Sequence, residues 1–186
     1  MEKQETMDSK KTLDTIDPSE ALQILKMLCQ EDTGIKKRVE DMFLNQVREI
    51  DVSEIADEVF SDLDFLDVED LWDRSGSHRD GYTDTGDAAL EMIEDVLEPH
   101  LKSMQRLHSL GMFQEEMRYC MGVVSGLHMF ENEATTDFKD WSVDIPGEQA
   151  SEILTEWKKS CHAPDLLAEM EKFEKTSYSE EGEEGI

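Results

Sequence analysis

Met112-Phe-Gln-Glu-Glu-Met-Arg-Tyr-Cys-Met-Gly-Val-Val-Ser-Gly-Leu-His-Met-Phe-Glu131 carries the strongest helical pattern in the chain. Phe113, Met117, Cys120, Met121 and Val124 recur at the three- and four-residue spacing of one helix face. Gly122 and Gly126 lie four apart, so they share a face too, and each costs helix stability relative to alanine. Two such residues in so strong a helix predict the close approach of a neighbouring helix; the alternative is a ligand or cofactor cleft on that face.

The same periodicity extends in both directions. Gly111 stops a helix that runs from Pro99 through Leu101, Met104, Leu107 and Leu110. Before it, Asp84 with Asp87 reads as the cap of a helix through Ala88, Ala89, Met92, Ile93, Val96 and Leu97, which Pro99 must kink or restart. Asp51-Val-Ser-Glu54 is a capping box ahead of a stripe of Val52, Ile55, Ala56, Val59, Phe60, Leu63 and Leu66, and residues 66–72 form a further short helical turn. Asp17-Pro-Ser-Glu20 opens a first helix with Ala21, Leu22, Leu25, Leu28 and Cys29 on one face. A second helix, with Ile35, Val39, Met42, Phe43 and Val47, packs back on it.

Toward the other end, residues 132–145 connect to a helix that Pro146 begins, with Ile153, Leu154 and Trp157 inward. After the turn Cys161-His-Ala-Pro-Asp165 comes a short last helix with Leu166, Leu167, Met170 and Phe173. No segment shows two-residue alternation, so the expected fold is all-α: one domain over residues 17–175, an array or bundle of about seven to nine helices. Residues 1–16 and 176–186 are expected to be disordered. Trp72, Phe138, Trp141 and Trp157 stand at element ends, where they are expected to cover the bundle, with Trp141 tucking the 132–145 connector down; anchoring a partner is the alternative.

Charge limits the function. The 186 residues hold 46 acids against 18 Lys and Arg, a formal net charge of -28. Such a chain lacks the basic footprint that a nucleic-acid backbone or an anionic membrane surface requires. The first eleven residues have no apolar signal region, no apolar run has transmembrane length, and the three cysteines, Cys29, Cys120 and Cys161, form no C-x-x-C pair. A cytoplasmic protein with free thiols and no cofactor is the expectation.

Residues 51–73 hold ten acids and no Lys or Arg. Asp57, Glu58 and Asp62 fall opposite the apolar stripe there, either as a solvated face or as a docking surface for a basic partner. Gly76-Ser-His-Arg-Asp-Gly81-Tyr-Thr-Asp-Thr-Gly86-Asp87 has the glycines of a phosphate loop without its lysine, and Asp87 would repel phosphate. A calcium loop cannot be laid on it either. An irregular divalent-ion site from His78, Asp80 and Asp84 competes with the plainer reading of an interhelical loop ending in a helix cap. Ser77-His-Arg-Asp80 mixes charges of both signs in an acidic chain, which makes His78, Arg79 and Asp80 candidate contact residues. No histidine follows a glutamate by three residues, so a di-iron bundle is excluded. Cys29 and Cys120 stand in register with apolar neighbours, as small buried hydrophobes do, and Cys161-His162 is more exposed.

Leu110-Gly-Met-Phe-Gln-Glu-Glu-Met117 resembles the turn of a tetratricopeptide hairpin. Over residues 50–160, Asp67-Val-Glu-Asp-Leu-Trp-Asp-Arg-Ser-Gly76, Gly81-Tyr-Thr-Asp84 and Phe138-Lys-Asp-Trp141 resemble small acidic α-helical proteins. These are similar in turn to the helical region that follows the finger in SWIM zinc-finger proteins. The resemblance implies a helical-repeat-like fold and a role in an assembly, with no activity attached; the finger's own cysteines and its Cys-x-His are missing here. The favoured expectation is a non-catalytic interaction or scaffold module that receives a basic protein segment. A metal-dependent or thiol enzyme, sited at the 76–87 loop or beside Gly122 and Gly126, is the alternative, and a nucleic-acid mimic is a third.

Overall fold

A computed structural model describes residues 15–48, 50–78 and 81–179, with side chains for all of these except 45–48, 78 and 177–179. Among the described residues are eight α-helices, one short 3-10 helix and one two-stranded ribbon, so the fold is all-α as the periodicity predicts. The chain divides into two units, residues 1–49 and 50–186.

The first unit contains α1 (Pro18–Glu31) and α2 (Thr33–Arg48). Asp17 accepts from the Ser19 amide at 2.9 Å, and Glu20 reaches back to the Asp17 amide at 3.4 Å, which completes the expected capping box. Asp32, between the helices, accepts from the Gly34 amide at 2.7 Å and starts α2. The face expected to be covered is open, since Leu22, Leu25 and Leu28 are exposed and Cys29 is only half-buried. Helices of 14 and 16 residues have too little apolar surface to enclose a core between them.

The second unit is organised around α6 (Phe113–Glu133), which touches α3 (Val52–Asp64), α5 (Thr85–Ser109), α7 (Ile145–Ser160) and α8 (Pro164–Ser179). Met117, Cys120, Met121, Val123, Val124, Leu127 and Phe130 of α6 are all buried, so this helix is apolar around most of its circumference. Its largest contact is with α3, whose Ala56, Val59 and Leu63 are buried. A Cβ on Gly122 would stand 2.6 Å from the Ile55 Cβ, and one on Gly126 would stand 2.7 Å from both the Ala56 carbonyl oxygen and the Val59 Cβ. The two glycines therefore admit the backbone of α3, and that helix occupies the face on which a ligand cleft was the alternative.

Two local expectations are corrected, and a third is narrowed. Two strands, β1 (Gly76–His78) and β2 (Gly81–Thr83), pair as an antiparallel ribbon with Ser77 opposite Tyr82, where an interhelical loop is the expectation. Three-residue strands are too short to show an alternating pattern, and Gly76 and Gly81 supply the positive φ that the ribbon needs. Of the two alternatives for Pro99, the restart is not seen, since the residue lies inside the single helix α5. Phe138, fully buried in the 3-10 helix (Asp137–Trp141), holds the connector down, and Trp141 stays exposed. The short turn expected at 66–72 is α4 (Val68–Arg74), capped by Asp67, and α8 extends to Ser179, beyond the predicted end of order. Residues 1–14 and 180–186, both within the segments expected to be disordered, lie outside the described residues.

Gly126→Ala is expected to lower the free energy of unfolding by about 1–3 kcal/mol through overpacking. The better helix propensity of alanine, about 1 kcal/mol, offsets this only in part. Urea denaturation gives the value, and a variant as stable as the wild type would show that α3 does not need to lie against that glycine.

Candidate functional site

Two regions of the second unit bring polar chemistry together. The first is an acidic edge along α3, α4 and the 3-10 helix. Asp57, Glu58 and Asp62 are exposed on α3, where the stripe opposite them predicts. At the corner that ends α3, Phe65 is 91% exposed and lines a shallow groove with Asp64, Asp67 and Asp137. Farther along, Trp72 of α4 meets Trp141 edge to face, with ring centroids 4.7 Å apart. These indoles are 48% and 44% exposed, and Glu69 and Asp73 on the same helix as Trp72, and Asp140 next to Trp141 in sequence, are exposed too. Arg74 reaches Asp95 of α5 at 2.7 Å, which ties α4 to the bundle and leaves the indole pair at its surface.

The second region is a cleft at the reversal between α5 and α6. Gly111 has φ +71°, and the Met112 amide donates to the Leu107 carbonyl at 3.0 Å while the Gly111 amide donates to that of His108 at 2.9 Å. This is a Schellman closure, which returns the chain sharply on itself. It brings His108, in the last turn of α5, to 3.0 Å from the buried carboxylate of Glu116 and into edge contact with Phe113. A histidine at a helix C-terminus and a glutamate in a first turn each lie where the helix dipole favours their charge. Burial nevertheless raises the Glu116 carboxyl above its ordinary value, against the hydrogen bond and charge of His108. Trp157, Ser160, Cys161 and His162, from the end of α7 and the turn after it, complete the cleft.

The predicted site residues are dispersed. His78 is in β1, paired with Gly81, and its side chain is not described; Arg79 and Asp80 lie outside the described residues. Asp84 accepts from the Gly86 amide at 2.9 Å as the cap of α5, which accounts for that carboxylate. Among the described residues, no group of three His, Cys, Asp or Glu side chains could hold a metal ion. Cys120 is buried, and desolvation, with Glu116 and Glu174 adding to it and Lys158 opposing, pushes its thiol up to about 12. That leaves it an inert packing residue. The pairing of His108 with Glu116 was missed in the sequence; its signal was Gly111, which makes residues eight apart into neighbours across the turn.

Comparison with family models, with curated proteins and with solved structures finds no match to this chain. No described helix is long and apolar enough to cross a membrane.

Two results are expected from this geometry. A carboxyl whose folded pKa is raised contributes its stability in full below the unfolded value near 4.5, and the contribution declines as pH rises through the folded pKa. Glu116→Gln remains neutral, so its stability relative to the wild type should increase as pH rises above 4.5 and through the raised folded pKa; a constant difference would contradict the burial of that charge. Iodoacetamide should label Cys161 in the native protein and spare Cys120 until the chain is unfolded, as peptide mapping would show.

Proposed function

We propose that the protein is a non-catalytic interaction module, acting in the cytoplasm, whose acidic edge receives a basic segment of a partner protein. The observation that carries this reading is the exposed Trp72–Trp141 pair, whose sequence neighbours Glu69, Asp73 and Asp140 are exposed acids. Indole faces attract guanidinium and ammonium groups by cation–π contact, and the adjoining carboxylates can pair with the same cations. Half-exposed tryptophans are costly to leave in water and are enriched where partners anchor. Phe65 extends the strip to the corner of α3, and Asp57, Glu58 and Asp62 extend its negative field back along that helix.

In this reading His78, Arg79 and Asp80 are a second contact, and the acidic field steers a basic chain toward the edge. The resemblance to the helical region that follows the finger in SWIM zinc-finger proteins implies a role in an assembly, in line with this reading. A nucleic-acid mimic would use the same charge, but it has no use for an aromatic anchor.

An arginine- and lysine-rich peptide should quench tryptophan fluorescence at low salt and bind more weakly as salt is added. Trp141→Ala should weaken binding about tenfold, roughly 1.4 kcal/mol. Asp57→Asn, Glu58→Gln and Asp62→Asn together should flatten the salt dependence. Binding that is indifferent to Trp141→Ala, or absent across a library of basic peptides, would rule out this edge as the site.

A further inference from the structure

The first unit has an unsolved packing problem. No residue of α1 is buried, although Ala21, Leu22, Ile24, Leu25, Met27, Leu28 and Cys29 make more than half of its circumference apolar. Leu22 and Met27 are 51% and 58% exposed, and Met42 on α2 is 65% exposed. A contiguous apolar face of this kind marks an interaction surface.

Charge points to the occupant. Before residue 50 the chain holds 11 acids and 8 Lys and Arg, and after it come the remaining 35 acids and 10 Lys and Arg. Over Pro18–Arg48 the balance is even, five acids against five cations, so two α1–α2 hairpins carry no net charge against each other. The signs are also divided between the helices. α1 has Glu20 and Glu31 against Lys26, and α2 has Lys36, Lys37, Arg38 and Arg48 against Glu40 and Asp41. A two-fold pairing that sets α1 of one copy against α2 of the other would face each charge excess with its opposite. The Lys36–Glu40 pair within one copy is 3.8 Å apart and exposed, so it holds Lys36 only weakly.

We propose that the α1–α2 face docks on the same face of a second copy of this chain, giving a homodimer with a four-helix core. The acidic units that follow carry the repulsive charge, which salt near 0.15 M screens to about 8 Å.

Sedimentation equilibrium of the full chain at about 1–100 μM and near-physiological salt tests this. The expected mass is twice 21.4 kDa at the upper end of that range. Leu25→Glu with Leu28→Glu should weaken association at least tenfold, as should Met42→Lys on the other helix. Met42 is 65% exposed against 39% and 40% for Leu25 and Leu28, so Met42→Lys disturbs the unit's own packing least and separates lost association from lost folding. Val143→Glu, at an exposed apolar position in the second unit, should leave the dimer unchanged. A monomeric wild type throughout the range would overturn the proposal and mean that another occupant covers the face. A dimer that survives both the α1 and the α2 substitutions would overturn it as well.

Discussion

Contact between the backbone of α3 and the glycine face of α6 is the constraint on which the second unit depends. Gly122 and Gly126 put no side chain of their own at the contact, so the Ile55 and Val59 side chains and the Ala56 carbonyl reach the α6 backbone. With α3 set at that distance, its other face points outward with Asp57, Glu58 and Asp62. The α3–α4 corner is then carried to the 3-10 helix, where Phe138 is buried and the two tryptophans meet. Two missing methyl groups thus help place both the core and the acidic edge. The small intrinsic cost of glycine in a helix is outweighed by the apolar area that close packing removes from water.

A second glycine acts through conformation. At Gly111 the positive φ closes a Schellman turn, and that turn sets the half-exposed His108 against the buried Glu116. The pair is held by the reversal of the chain and lies within a cleft whose other wall comes from α7. Its chemistry is that of a desolvated carboxylate with one imidazole partner. No described metal cluster accompanies it, and the thiol nearest in sequence, Cys120, is inert.

Much of the fold was legible because helix signals are local. The caps at Asp17, Asp51 and Asp84, the stop at Gly111 and the start at Pro146 each involve residues within one turn of one another. What was misread depends on distant partners. The ribbon of Gly76–His78 with Gly81–Thr83 has strands too short for a pattern. Phe138 and Trp141 are equivalent large aromatics in sequence; only the packing of the 3-10 helix on α4 and α5 buries one and exposes the other. The stripe of α1 resembles any core-facing stripe, yet its face is open.

By itself the sequence determined the helices, their caps, the close-approach face of α6 and the concentration of acids between residues 51 and 73, because each follows from spacing or composition. The tertiary structure decided which surfaces lie together: Trp72 on Trp141, Phe65 among Asp64, Asp67 and Asp137, and His108 on Glu116. Those neighbours come from different elements, and their meeting depends on how helices pack, which periodicity along a single helix does not encode.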